Sequence, residues 1–473
     1  MLRMIYARMS YVVKFGDDHS LPFRSTIGLL TGDLASPTLW NIFFSDYQLP
    51  LHDDDVQLNG RPVPQAEQAN DNLIMSTAFA AFQSKVTWFW NWTTRKRAFA
   101  SVDKSRWQIY GPLPSVIPQL RLGDLVVKLV PEFKYVGIWF SSVHANMFAR
   151  HYAIKASKAR GVASAVFALK HRIGSLPVRE GLVLYKTRID CFLTSGCELS
   201  LDTDTLVTDH VEVQHAFLRC LLGLNSHSLL AVLFTETGLL PVHIRRLLLA
   251  LERLQYMLST DPTRIIHDAL LDSVALFRDG KCSWATDLAV MLSRLPTLIA
   301  VGSDDLLSAH TIDAIMKKII LIVDTDLQRD IDSMVKTHLL RNRVELAMTG
   351  LLLGDHNLSV ERLRYATRYR HAVLREHRLC RFCRAAIEDE VHALFDCTGT
   401  PRLTEFRSQF LEALKSINSG TWDSYMKLSN YNFMLKILPS RKAVALYAKY
   451  IYQVLSVFDE TPRYLPVAFR IPN

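Results

Sequence analysis

DVQLNGRPVPQAEQANDNLIMST, residues 55–77, is the stretch that decides the fold of the N-terminal part of this chain. Asn59-Gly60 is a dipeptide suited to the left-handed backbone of a two-residue type I′ turn, and it lies between two extended runs, so a β-hairpin is predicted here. Further along, residues 69–71 read Ala69-Asn70-Asp71, a triplet with a single carboxylate. His52-Asp53-Asp54-Asp55 precedes the hairpin as an acidic cluster. Charge clusters usually face water, and we read this one as a solvated turn leading into the hairpin.

Upstream, FRSTIGLLTGDLASPTLWNIFFSDY, residues 23–47, reads as a Gly-rich turn opening a helix. Gly28 and Gly32 allow backbone to approach a ligand closely, and Ser36-Pro37 fits a cap followed by the first helical residue. Leu39, Trp40, Ile42, Phe43 and Phe44 supply its packed face. Such a turn is common in α/β proteins and is unspecific by itself. Downstream, Arg95-Lys96-Arg97 beside Trp88, Trp90 and Trp92 reads as the solvated end of a core helix. FKYVGIWF, residues 133–140, alternates Phe133, Tyr135 and Gly137 against Lys134, Val136 and Ile138, which predicts a strand with two apolar faces.

Taken in order, these segments resemble the second half of the palm of non-LTR (LINE-like) retrotransposon reverse transcriptases. Residues 28–37, GLLTGDLASP, are similar to that family's template- and nucleotide-gripping segment, with Leu34 where the family usually has Pro. The resemblance implies binding roles for Gly28, Gly32, Asp33, Ser36 and Pro37. It also implies a second hairpin presenting an Ala-Asp-Asp triplet, to which Ala69-Asn70-Asp71 corresponds. AFASVDKSRWQIYG, residues 98–111, resembles the segment whose Lys, here Lys104, lies near the departing pyrophosphate, and residues 133–140 resemble the primer-grip hairpin.

Polymerase chemistry uses two divalent ions held by anionic oxygens, and an amide binds them far more weakly. The resemblance therefore implies that Asp71 is the remnant of a catalytic pair. The family's other essential Asp lies upstream of the matching segment, so the resemblance implies that this sequence lacks it together with the fingers. Mg is the family's cofactor, but no productive Mg binding and no polymerase activity are expected. The stretch from about Phe148 to Leu258 resembles the region that follows in this family. Leu247, Leu248, Leu251, Leu254 and Met257 recur at helical spacing and predict a thumb-like helical layer, core rather than site, with Gly174, Gly196 and Gly223 marking breaks between helices.

RLCRFCRAAIEDEVHALFDC, residues 378–397, carries Cys380-x2-Cys383-x8-His392-x4-Cys397. A Cys-x2-Cys turn points two thiolates at one ion, and we expect His392 and Cys397 to lie about one helical turn apart on one face, completing a tetrahedral zinc site. The other reading is a small ordinary core in which Leu379, Phe382, Ile387, Leu394 and Phe395 join buried cysteines. A zinc-binding segment also follows the polymerase in many elements of the family. The other cysteines, Cys191, Cys197, Cys220 and Cys282, read as buried thiols.

ERLRYATRYRHAVLREHRLCRFCR, residues 361–384, interleaves eight arginines with Tyr365, Tyr369 and Phe382. Arg362, Arg364, Arg368, Arg370, Arg375 and Arg378 could grip phosphate while the aromatic faces stack on bases of RNA or DNA, or they could be an exposed basic helix face without a ligand. The formal charge of +9 is a modest bias toward nucleic acid.

A chain of 473 residues, 49% hydrophobic, can fill several cores. The first 15 residues lack the apolar h-region of a signal peptide, and no run reaches membrane-spanning length, so an intracellular protein, nuclear or cytoplasmic, with no membrane partner is expected. Seven cysteines then argue for reduced thiols and metal ligation. The expected class is α+β: a truncated palm over 1–146, a helical thumb-like region over 147–259, a helical connection without motif over 260–357, and a basic zinc-binding segment with C-terminal helices over 358–473. Functionally this reads as a fragment of a retrotransposon-encoded RNA-directed DNA polymerase, inactive but able to bind nucleic acid. A domesticated structural or nucleic-acid-binding protein with no enzymatic role is the alternative; protein partners are unassigned.

Overall fold

The computed structural model describes residues 10–24, 33–169, 176–224, 226, 228–334, 379–389, 391–417, 420, 422–437, 443–462 and 464. Gly28, Gly32, Gly174 and the arginines from Arg362 to Arg378 lie outside the described residues. The chain is α+β, with small two-stranded sheets and many helices, and it divides into two compact units, Met1–Met147 and Phe148–Asn473. Among the described residues, no helix is long and apolar enough to cross a membrane.

In the first unit the predicted hairpin pairs Val56–Leu58 with Arg61–Val63. Asn59 and Gly60 both take positive φ, 51° and 75°, as a type I′ turn requires. A second hairpin follows at once, Gln65–Gln68 with Asp71–Ile74, and its two turn residues are Ala69 and Asn70. Trp40 Nε1 donates to the Ala69 carbonyl at 2.7 Å and ties this turn to the helix Ser36–Phe44. That helix begins at Ser36 with Ala35 as its N-cap, so Ser36 lies inside the first turn instead of capping it. Its packed side is Trp40, Phe43 and Phe44, whose rings tilt against one another, with Phe44 also meeting Tyr47 and Trp92; Ile42, expected on that side, points to solvent.

Residues 133–140 do not form one alternating strand. They fold into a hairpin, Glu132–Tyr135 with Ile138–Ser141, because Val136 and Gly137 take φ of 45° and 87° and reverse the chain. Glycine adopts this backbone freely, whereas β-branched Val136 does so under strain. The helix Phe79–Arg95 buries Trp92 and ends in exposed Arg95 and Arg97, with Lys96 paired to Asp46 at 2.6 Å, the solvated end read from sequence. The acidic cluster differs from expectation. Asp53 is exposed, but Asp55 is buried against the equally buried Lys85, whose Nζ also donates to the Met75 carbonyl at 2.7 Å. One Lys on a helix thus holds the start of the first hairpin and the end of the second.

Among the described residues the second unit contains two cores, one that runs from Ala159 to Ile331 and one from Cys380 to Phe458. Leu247, Leu251 and Leu254 of the helix Val242–Ser259 are fully buried in the first of these, as their spacing predicted. Gly196 and Gly223 take left-handed backbone where helices end. The turn at Thr260-Asp261-Pro262 joins helices of this same core; Leu270, Leu288 and Ile319 beyond it belong to the cluster that holds Leu251. Of the four cysteines taken as buried, only Cys197 is; Cys191, Cys220 and Cys282 sit on solvent-facing helix positions or ends, a distinction that apolar neighbours in sequence do not make.

On the helix Val242–Ser259, Arg246 is 1% exposed. Its Nε and Nη2 donate to the two carboxylate oxygens of Asp202 at 2.8 Å, Nη1 donates to the Leu193 carbonyl at 2.7 Å, and Nη2 also meets Tyr152 Oη at 2.8 Å. Tyr152 in turn donates to Asp202 at 2.7 Å and stands edge-on to buried His210. Removing one partner of a buried pair leaves an uncompensated charge and costs about 3–5 kcal/mol. Arg246→Met is therefore expected to lower unfolding stability by that amount in denaturant titration, with Asp202→Asn added to it restoring part of the loss.

Burial, helped by the charge of Arg246, holds His210 down at about 3 against the opposing Asp209, and burial likewise holds His215 down at about 4. A neutral buried histidine that would titrate near 6.5 when unfolded contributes stability fully above that pH, and loses it as pH falls toward the folded value. Stability should decline from pH 6.5 toward pH 4, and His210→Gln should reduce the slope by about 1.4 kcal/mol per pH unit. An unchanged slope in pH-resolved denaturation would count against this origin.

Candidate metal centre

The site is built on a short loop. Leu379 bridges Ile387, the Cys380 N–H donates to the Ala386 carbonyl at 2.8 Å, and the Arg384 N–H donates to the Cys380 carbonyl at 2.9 Å. Arg384 takes φ 56° to complete the reversal. The turn brings the Cys380 and Cys383 sulfurs to one side and aims backbone N–H groups at them, from Cys383 and Phe382 at Cys380 and from Ala385 and Ala386 at Cys383. Burial nevertheless pushes the Cys380 thiol up to about 12. Burial acts on Cys383 in the same sense, but there the N–H groups and the neighbouring thiols outweigh it and hold the thiol below its usual range.

The other two donors come from residues 391–397. A His and a Cys five positions apart would lie about 140° apart on an α-helix, at 3.6 residues per turn, and would not face one ion. The expectation of a simple helical turn is corrected here. His392–Asp396 forms a π turn, closed by the Cys397 N–H donating to the His392 carbonyl at 2.7 Å, and this wider turn returns residue 397 to the side of residue 392. Asp389 starts it by accepting from the His392 N–H at 2.9 Å.

The four ligand atoms all lie within 4.8 Å of one another, with Cys380 Sγ 3.6 Å from Cys397 Sγ and Cys383 Sγ 3.2 Å from His392 Nε2. Cys380, His392 and Cys397 are buried and Cys383 is half-buried. Three soft sulfurs and one imidazole, packed this closely with N–H groups directed at two of the sulfurs, fit a tetrahedral thiolate-preferring cation. This group could hold a metal ion.

Several supporting residues carried no sequence signal that we read. Gly399 passes so close to the ligand turn that a Cβ there would stand 2.6 Å from Phe382 Cβ and 2.7 Å from the Cys383 nitrogen. Arg381, between the two cysteines, is clamped by buried Glu388, its backbone N–H donating to Oε2 at 2.9 Å and its guanidinium to both oxygens. Its place in the arginine-rich run had suggested phosphate contact; its partner is an anion of the protein. Phe382, grouped with the base-stacking aromatics, packs edge-on against Phe458 at 4.8 Å. Arg407 binds the Leu394 and Cys397 carbonyls at 3.0 and 2.7 Å, which fixes the far end of the π turn.

The residues assigned to polymerase chemistry are spread over the first unit. Asn70 is the second residue of the hairpin turn and Asp71 opens the return strand; both are exposed. Among the described residues, Asp71 belongs to no group of three or more potential metal ligands. Lys104 is an exposed turn residue before the strand Arg106–Trp107. Asp33 and Ser36 are half-buried and Pro37 exposed, at the start of the helix Ser36–Phe44. In comparison with known proteins, no protein-family model matches the chain and no curated protein matches it.

Because Gly399 lets the two ligand segments touch, Gly399→Ala should push the Cys383 turn away and weaken metal binding about 10-fold or more. Gly420, where an added Cβ meets nothing within 4 Å, is the control. Chelator competition on both variants measures this; equal affinities would mean the approach at Gly399 is irrelevant to the site.

Proposed function

We propose that this chain is a retrotransposon-derived protein of reverse-transcriptase type that does not polymerise, and that its Cys3His module holds zinc and serves with the arginine-rich segment to bind RNA or DNA. The observation that carries the reading is the hairpin Gln65–Ile74, whose turn and first return residue are Ala69-Asn70-Asp71, the place at which the resembled family presents paired carboxylates. Asn70 offers an amide where a hard divalent ion needs an anionic oxygen, so Mg would have Asp71 alone at this tip. The same substitution favours the second reading, a domesticated binding protein with no enzymatic role.

Zinc, when bound, supplies a cross-link between residues 380–383 and 392–397 that a short segment with a small core needs. Cys380, Cys383, His392 and Cys397 would hold it. Glu388 and Arg407 fix the two ligand segments through Arg381 and through the carbonyls of Leu394 and Cys397. The arginines at 362, 364, 368, 370, 375 and 378 lead directly into the first ligand turn, so phosphate contacts there would start from an anchored end.

The purified chain should hold about one zinc, fall below that with Cys383→Ala, and bind RNA or DNA with an affinity that drops steeply as salt rises. Neutralising Arg368, Arg370 and Arg375 together should weaken binding and flatten its salt dependence. Primer extension with Mg or Mn should stay at background for the chain and for Asn70→Asp. Template-dependent incorporation by the unmodified chain would overturn the reading, as would nucleic-acid binding that survives the triple change intact.

A further inference from the structure

Two arginines of the ligand turn contact the end of the last described helix and the residues just after it. Arg381 lies between Cys380 and Cys383; its Nη1 donates to the Phe458 carbonyl and, at 2.7 Å, to the Thr461 carbonyl, and its guanidinium lies 5.3 Å from the centre of the Phe458 ring. Arg384 follows Cys383 directly, and its guanidinium lies 4.8 Å from the centre of the Tyr464 ring. The Phe458 carbonyl lies in the last turn of the helix Val444–Glu460, where it also accepts from the N–H of the C-cap residue Thr461 at 3.4 Å, and the Thr461 carbonyl lies just past that turn; a cation there opposes the negative end of the dipole.

Arg381 is not free to do this by itself. Its side chain is only 8% exposed, and Glu388 holds it from the other side through a bidentate pair and through the Arg381 backbone N–H. The backbone of residues 380–384 sets the direction of both guanidinium groups, and the geometry of that backbone is the geometry of the Cys-x2-Cys turn. Bringing Cys380 and Cys383 onto one ion therefore also aims Arg381 at the helix end and Arg384 at Tyr464 beyond it.

We propose that Arg381 and Arg384 form a latch that couples metal occupancy of the Cys3His group to the seating of the C-terminal end of the helix Val444–Glu460, with Thr461 and Tyr464. The coupling rests on the metal-binding reading given above. With metal bound, the turn is fixed and the latch closed. Without metal, residues 380–384 lose their geometry, the Phe458 and Thr461 carbonyls lose the Arg381 guanidinium, and the helix end opens. Linkage makes the effect mutual, so weakening the latch weakens metal binding.

Hydrogen exchange on the full chain, with Zn2+ and then with a chelator, reads the latch directly. Amides of the last turn before Thr461 should exchange about 10-fold faster after chelation, and Arg381→Lys, which keeps the charge but not the fork, should speed the same amides with zinc present and lower zinc affinity in chelator competition by a comparable factor. Arg402→Met removes the exposed Arg402–Glu460 pair at the same helix end without touching the ligand turn, and should leave zinc affinity unchanged. If chelation opens the whole module, the zinc-loaded Arg381→Lys comparison decides. One zinc per chain with helix-end exchange and affinity indifferent to Arg381→Lys would discard the latch and leave the metal site standing; no zinc binding by the unmodified chain would discard both.

Discussion

Four ligand atoms gathered within 4.8 Å set the terms for everything after residue 379. Bringing them together asks for three backbone features that are each uncommon. One is a reversal at Cys380–Arg384 that puts a non-glycine residue at positive φ, another is a π turn that returns residue 397 to the side of residue 392, and the third is a glycine at 399 where no Cβ fits. None of these is favoured locally. They persist because the surrounding core of Phe395, Phe410, Tyr447, Tyr450 and Phe458 closes over them, and because a cation would offset the burial of the sulfurs.

Three buried ion pairs among the described residues each join two segments, two of the three across more than 25 positions of sequence. Lys85 with Asp55 holds two hairpins to one helix, Arg246 with Asp202 joins the helix Val242–Ser259 to the loop after Gly196, and Arg381 with Glu388 closes the ligand loop. A buried pair is weak support for net stability, since desolvation offsets much of the attraction. Its clearer effect is on uniqueness, because an alternative register would strand a charge in an apolar core. That the same device anchors the hairpin pair and the metal loop suits elements too short to fix their own geometry.

Much of this was legible in the residues themselves. Asn59-Gly60 specifies its turn because an Asn-Gly pair takes left-handed backbone at little cost, and the leucines of 247–254 specify a buried helix face through their period. Spacing of three cysteines and a histidine named a metal group because ligand chemistry is carried by residue type.

Tertiary structure decided what depends on which neighbour arrives from elsewhere. Asp55 looked like part of a solvated run until Lys85, thirty positions on, proved to be its partner. Arg381 belonged by sequence to an arginine-rich run that could be read as gripping phosphate or as a solvated face, yet Glu388 and the carbonyls of Phe458 and Thr461 claim it. Cys191 and Cys220 read like Cys197, but only the packing of helices tells which side of each is covered. Val136 fits a strand by propensity and is turned out of it by Gly137. The five-residue step from His392 to Cys397 fixed the donors, while the π turn that makes them converge came from the fold, since local helical geometry would have pointed them apart.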